Sequence, residues 1–144
     1  MTPKGSEEKT TPESWIGKGD ALFEALRYDE AMDAYRQVRA VDPGYLYAAN
    51  RIGVILSLLG RDEEALEQFD RVLALEPPEP LLADIAINNK ANVLRKLGRT
   101  EEALMVYDHA LRIEPENVMA LSNKGNIYSD LGRDAEALLM YGKA

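Results

Sequence analysis

The residues best equipped for recognition are five asparagines in two short stretches, "NNKAN" at 88–92 and "SNKGN" at 122–126. A carboxamide offers a donor and an acceptor together, as a peptide unit does, so a row of them can hold an extended chain by its backbone. Asparagine is a poor helix former, because its amide competes for backbone hydrogen bonds. Three of them at the start of an otherwise helical stretch, Asn88, Asn89 and Asn92, therefore need a reason. The other reactive groups lead to less. Glu63–Glu64 and Glu101–Glu102 could suggest acid–base chemistry, but they fall where the first turn of a helix favours negative charge. The single histidine, His109, reads as a solvated helix residue beside Ala110. "GKG" at 17–19 follows no strand and reads as packing, not as a phosphate loop. With no zinc-spaced histidine pair and no nucleophile beside a base, the sequence predicts no enzyme, no cofactor and no metal site.

The elements that must position these amides belong to a chain of 144 residues with a net charge of −8 and no cysteine. Without cysteine there is no disulfide framework and no thiolate chemistry, which fits a reducing compartment. The acidic balance speaks against nucleic acid and against an anionic membrane surface as partners. The longest apolar run, Ile52 to Gly60, is far too short to span a bilayer. The amino-terminal "MTPKGSEEKTTPE" lacks the apolar stretch of a secretory signal, so a cytoplasmic location is expected.

Four stretches align with one another: "EALRYDEAMDAYRQVRAVDP", "LLGRDEEALEQFDRVLALEP", "KLGRTEEALMVYDHALRIEP" and "DLGRDAEALLMYGKA". Ala31, Ala65, Ala103 and Ala137 are 34, 38 and 34 residues apart, and an aromatic follows each by four, at Tyr35, Phe69, Tyr107 and Tyr141. A small residue comes three further on, at Val38, Val72, Ala110 and Ala144, and Pro43, Pro77 and Pro115 close three copies. Upstream in each copy lies a stripe at helical spacing: Trp15, Gly19, Leu22; Ala49, Gly53, Leu56; Ile87, Ala91, Leu94; and Leu121, Gly125, Tyr128. Gly60, Gly98 and Gly132 end the first helix of a pair, and Asp62, Thr100 and Asp134 are expected to cap the second. The glycine or alanine in the middle of the first helix lets the second approach closely, and Trp15 and the tyrosines at 35, 107 and 141 are read as core. This pattern resembles the tetratricopeptide repeat over residues 12–144. Departures are Leu26, where a turn glycine is expected, and Lys18, Lys90 and Lys124, where leucine is usual.

The resemblance implies an all-α protein: antiparallel helix pairs stacked as a right-handed superhelical solenoid, with seven full helices, a shortened eighth and no strand. Expected boundaries are a disordered segment at 1–11, a repeat domain at 12–144, repeats at about 12–45, 46–79, 84–117 and a truncated 118–144, and an insertion at 80–83. Thr11 as cap and Pro12 at the first helical position mark the start of order. The insertion is about one helical turn, and Pro80 suits a first helical position, so the helix should start there and carry Leu81 and Leu82. At the carboxyl end, Leu138, Leu139, Met140 and Tyr141 have no later helix to cover them. The chain is thus expected either to be cut from a longer array or to pair there with another molecule.

Taking Ile87, Ala91 and Leu94 as buried puts Ile85, Asn89, Asn92 and Lys96 on the opposite face, with Asn88 on the flank. The same construction gives Met119, Asn123, Asn126 and Asp130 in the fourth copy; Tyr47, Arg51, Val54 and Leu58 in the second; and Glu13, Gly17, Asp20 and Glu24 in the first. By resemblance this face lines the concave groove of a tetratricopeptide array and binds an extended peptide or a partner surface. The asparagines resemble the ladder in the groove of the O-linked N-acetylglucosamine transferase. The match transfers to Asn89 and Asn123, and more weakly to Asn92 and Asn126. Tyr47, Val54, Leu58, Ile85 and Met119 would supply shallow apolar pockets, although helix packing can claim several, Leu58 above all. A carboxylate clamp is not expected, since Ile85, Met119 and Asn123 fall where cations are needed. Two other readings stand beside this one: the amides bond across neighbouring repeats, or the array self-associates or regulates a longer protein.

Overall fold

The computed structural model describes residues 10–74 and 80–144. Among them are eight helices: α1 (Pro12–Glu24), α2 (Tyr28–Arg36), α3 (Tyr45–Leu58), α4 (Asp62–Leu73), α5 (Pro80–Lys96), α6 (Thr100–Ile113), α7 (Val118–Asp130) and α8 (Asp134–Lys143). No strand occurs among the described residues. Consecutive helices pair as antiparallel hairpins, α1 with α2 through to α7 with α8, and each hairpin packs on the next as a solenoid. The disordered segment expected at 1–11 falls, over residues 1–9, outside the described residues, and so does the closure expected at Pro77.

The four repeat alanines Ala31, Ala65, Ala103 and Ala137 are buried, and Tyr35, Phe69 and Tyr107 are almost wholly so. Tyr141 departs from the expectation of a core aromatic and stays 40% exposed. In three hairpins the aromatic ring packs against the glycine of the first helix. A Cβ added at Gly19, Gly53 or Gly125 would come within 2.6, 2.5 or 2.7 Å of the ring of Tyr35, Phe69 or Tyr141. In the third hairpin the small residue is Ala91, and the Tyr107 hydroxyl reaches Asn88.

The turns inside the hairpins share one design. At Gly60 (φ +77°) the chain enters the left-handed region, the Gly60 N–H donates to Ser57 O at 3.0 Å, and the Arg61 N–H reaches back to Leu56 O at 2.8 Å. That pair of bonds satisfies the last carbonyls of the first helix. The same arrangement recurs at Gly98 and Gly132, and at Leu26, which takes φ 60° in spite of its Cβ.

This turn corrects one expectation. Asp62, Thr100 and Asp134 do not cap the second helices; they are already the first helical residues, and Arg61, Arg99 and Arg133 hold the cap position without a side-chain cap bond. The residue after the left-handed glycine finishes one helix and begins the next, so no position is left between them. Each arginine pairs instead with the glutamate three residues on: Arg61 Nε with Glu64 at 2.8 Å, Arg133 Nε with Glu136 at 2.8 Å, Arg27 Nε with Glu30 at 2.9 Å, and Arg99 with Glu102. The carboxylate also sits on the positive end of the helix.

α1 begins as the sequence predicts, with Pro12 first and the Thr11 hydroxyl accepting from the Ser14 N–H at 3.1 Å. α5 begins at Pro80 and carries Leu81 and Leu82 in its first turn. That added turn is tied to α3 by buried Asn50, whose Nδ2 donates to Leu82 O at 3.2 Å. α8 is ten residues long, but nine-residue α2 is shorter still, so the last helix is not the most abbreviated. α2 ends early because the Gln37 and Val38 N–H groups fall back to carbonyls three residues before them, and Asp42 accepts from the Arg39 N–H at 2.8 Å.

Lys90 and Lys124 find a simple answer. Each reaches an aspartate on the second helix of the neighbouring hairpin, Lys90 meeting Asp70 at 2.6 Å and Lys124 meeting Asp108. An ion pair between hairpins replaces the leucine contact.

Candidate functional site

The first helices of the hairpins turn one face away from their partners, and the structure places the sequence-predicted residues along it. Ile85 is 41% exposed, Asn92, Asn126 and Lys96 are exposed, and Asn89, Arg51 and Asn123 are half-buried. Tyr47, Val54 and Met119 are half-buried against the core, whereas Leu58, expected to be claimed by packing, stays 56% exposed.

Polar contacts join one first helix to the next along this face. Between α1 and α3, the Tyr47 hydroxyl donates to Asp20 Oδ1 at 2.9 Å, and Arg51 lies 3.7 Å from the same oxygen. The Arg51 guanidinium also stacks 4.1 Å from the centre of the Phe23 ring, and the Tyr35 hydroxyl donates to Asp20. Between α3 and α5, Lys96 Nζ donates to Ser57 O at 2.9 Å, and it also reaches Asp62, the first residue of α4, at 3.0 Å. Between α5 and α7, Asn123 Nδ2 donates to Asn88 Oδ1 at 2.8 Å, and Arg95 pairs with Asp130.

The asparagines therefore divide. Asn88 Oδ1 accepts from both Asn123 and the Tyr107 hydroxyl, each at 2.8 Å. Burial pushes the Tyr107 phenol up to about 12, so it remains a proton donor at any ordinary pH. Asn126 Oδ1 accepts from the Tyr141 hydroxyl at 2.6 Å. Among the described residues, the side chains of Asn89 and Asn92 take no hydrogen bond within the chain. The difference goes with the residue just before Asn92. Over Gly19 and Gly125 the tyrosine reaches the residue just after the glycine, Asp20 or Asn126. Where the small residue is Ala91, which carries a Cβ that glycine lacks, Tyr107 reaches Asn88, three residues before it, and Asn92 is left uncommitted.

Two polar residues that the sequence reading did not single out complete the region. Asn117 is buried, caps α7 through the Ala120 N–H at 2.9 Å, and donates to Asp84 at 3.1 Å. Its place before an apolar helical run is a readable cap signal. Asn50 is buried with its Oδ1 unpartnered; nothing in its sequence neighbourhood reveals that it grips a carbonyl on α5. Among the described residues, no group of three histidines, carboxylates or cysteines comes together as a metal site, and no helix is long and apolar enough to cross a membrane.

The hairpin period, the left-handed turns and the ring-on-glycine packing define a class. The chain belongs to the tetratricopeptide repeat family, whose arrays serve as protein-interaction scaffolds; a tetratricopeptide repeat model matches residues 16–80 and a TPR repeat model residues 91–132. The chain is similar to the peroxisomal targeting signal receptor of Kluyveromyces lactis, with 30% identity over 66 residues, 46% of this chain and 12% of that protein. It spans only that small part of the relative. Among solved structures, it resembles a tetratricopeptide repeat protein from Parabacteroides merdae, with a TM-score of 0.74 and 23% identity over 92% of this chain and 51% of that one. It also resembles the first such domain of Spaghetti bound to the HSP90 peptide SRMEEVD, with a TM-score of 0.66 and 23% identity over 85% of this chain and 94% of that one. These structural likenesses are of fold.

Proposed function

We propose that the face formed by α1, α3, α5 and α7 holds an extended peptide of a partner protein, with Asn89 and Asn92 contacting the ligand's backbone. The observation that carries this reading is that these two amides lie on the exposed side of α5 without a partner among the described residues. Ile85 and Leu58 beside them offer apolar contact, 41% and 56% exposed. Asn88 and Asn123, by contrast, are engaged with each other, so their part is to brace α5 against α7. Tyr47 and Arg51 are likewise engaged with Asp20, and Val54 and Met119 supply the floor. The absence of cysteine and the acidic surface suit a cytoplasmic setting. The test is selection of displayed random peptides on the intact chain, followed by affinity measurement with N89A/N92A. Two lost backbone contacts should cost roughly 1 to 3 kcal/mol, so affinity falls about fivefold or more while the melting temperature holds. Unchanged affinity, or selected peptides that bind elsewhere, would end the reading.

A second reading, self-association through α8, is favoured by Leu138 and Leu139, which are 70% and 56% exposed. Sedimentation over a wide concentration range should then show reversible association that L138E/L139E abolishes; a species monomeric throughout would dismiss it.

A further inference from the structure

On the side of the solenoid away from that face, α4 and α6 diverge over α5 and leave a cleft of about 880 Å³. Its floor is the outward side of α5 from Pro80 to Leu94, about 21 Å of helix at 1.5 Å per residue. The added turn of α5 lengthens this floor, because Pro80, Ala83 and Asp84 all line it. Its apolar lining comes from Leu66 and Leu73 on α4, Ile87 on α5, and Met105, Val106 and Ile113 on α6. Met105 and Ile113 are 65% and 75% exposed, two large apolar side chains that no packing among the described residues accounts for. The rim is charged, and unevenly. Among the described lining residues, six carboxylates face three cations. Two of those cations are already bound by lining carboxylates: Lys90 by Asp70 at 2.6 Å, and Arg99 by Glu63 at 3.1 Å as well as by Glu102. A visitor therefore meets an apolar trough with a negative border.

We infer that this outer cleft is a docking site for a positively charged amphipathic helix of a partner protein. The length of the floor matches about 14 residues, or four turns. An apolar stripe at helical spacing would lie on Ile87, Met105 and Ile113, and lysines or arginines on its flanks would meet Glu67 and Glu114. An acidic peptide does not fit the charge. This surface is distinct from the asparagine-bearing face, so the two sites stand or fall separately.

The probe is a synthetic peptide of about 14 residues with leucines at helical spacing and lysines elsewhere. Its partners in the test are a scrambled peptide of equal composition and one with glutamate for lysine. Binding is followed by fluorescence anisotropy and by amide shifts of the full chain. The amphipathic basic peptide should bind, shift residues of α4, α5 and α6, and lose about tenfold or more of its affinity to M105R/I113R. E67K should weaken it further at low salt than at high salt. N89A/N92A should leave its affinity unchanged, which separates failure here from failure of the groove reading. Equal binding of the scrambled peptide, indifference to M105R/I113R, sensitivity to N89A/N92A, or tighter binding of the acidic peptide would each overturn the inference.

Discussion

Replacing Asn88 by alanine tests the division of the asparagines directly. The Asn88 oxygen accepts from Tyr107 and from Asn123 at 2.8 Å each, and Tyr107 is only 1% exposed. Each bond is worth about 0.5 to 1.5 kcal/mol net, and a donor left buried without an acceptor costs roughly 1 to 3 kcal/mol. Alanine in a helix interior returns about 0.5 kcal/mol. The half-buried position lets water reach part of the vacated site, so the net cost should be about 1.5 to 2.5 kcal/mol. For a chain of this size that corresponds to a melting temperature lowered by about 5–8 °C. Asn92→Ala, at an exposed amide without a partner, should lie within about 0.5 kcal/mol of the parent, on the stabilising side. The assay is urea unfolding followed by circular dichroism for N88A, N92A, Y107F and N88A/Y107F. The double mutant should cost clearly less than the two singles together, because both remove the same bond. If N88A and N92A prove indistinguishable, or if N88A and Y107F simply add, the bonding pattern does not govern stability and the division fails.

Three further outcomes are expected. Leu26→Gly should raise the urea midpoint: relieving a left-handed non-glycine residue returns about 1 to 2 kcal/mol, glycine's added freedom in the unfolded chain takes back about 0.5 to 1 kcal/mol, and the side chain is 70% exposed; a lowered midpoint would contradict the strain. Burial raises the Tyr107 phenol to about 12 in the folded chain, and it also raises that of Tyr35, aided by Asp20. Since the unfolded value is about 10, the stabilisation is complete below pH 10 and is lost as pH rises through the folded values. The melting temperature should therefore decline from about pH 10 upward, and a flat profile to pH 12 would count against it. The peptide SRMEEVD, bound by the Spaghetti domain, should show no saturable anisotropy change with this chain, because Ile85, Met119 and Asn123 stand where a clamp needs cations; saturation reversed by K96A would reveal a clamp built from other residues.

What was legible in the sequence is what repeats. A period shared by alanine, aromatic and small residue at positions such as Ala65, Phe69 and Val72 specifies the hairpin, because helical spacing and close packing demand those types together. The added turn at Pro80 was readable for the same local reason, a proline suited to a first helical position. The caps were misread because Asp62, Thr100 and Asp134 have the right chemistry in a slot that the left-handed turn has already taken. The true signal, an arginine followed three residues later by glutamate at 27 and 30, 61 and 64, 99 and 102, and 133 and 136, stands in all four copies. It went unread because an arginine is no ordinary cap, and only the turn geometry shows that it must serve as one.

The candidate site was less legible because its meaning turns on a single methyl group. Asp20, Asn92 and Asn126 hold equivalent positions, each one residue after the small residue on which the aromatic rests. The two asparagines share one chemistry, and all three offer an acceptor at that position. Glycine at 19 and 125 lets the tyrosine ring lie close, and its hydroxyl consumes the acceptor of Asp20 or Asn126. With alanine at 91, the Tyr107 hydroxyl reaches Asn88 instead. Asn123 completes the brace between α5 and α7. Alanine in place of glycine thus goes together with an open amide at Asn92 and a brace at Asn88. A helical wheel places all of these residues on or beside one face; which of them remain free for a ligand is decided by where a buried ring can lie.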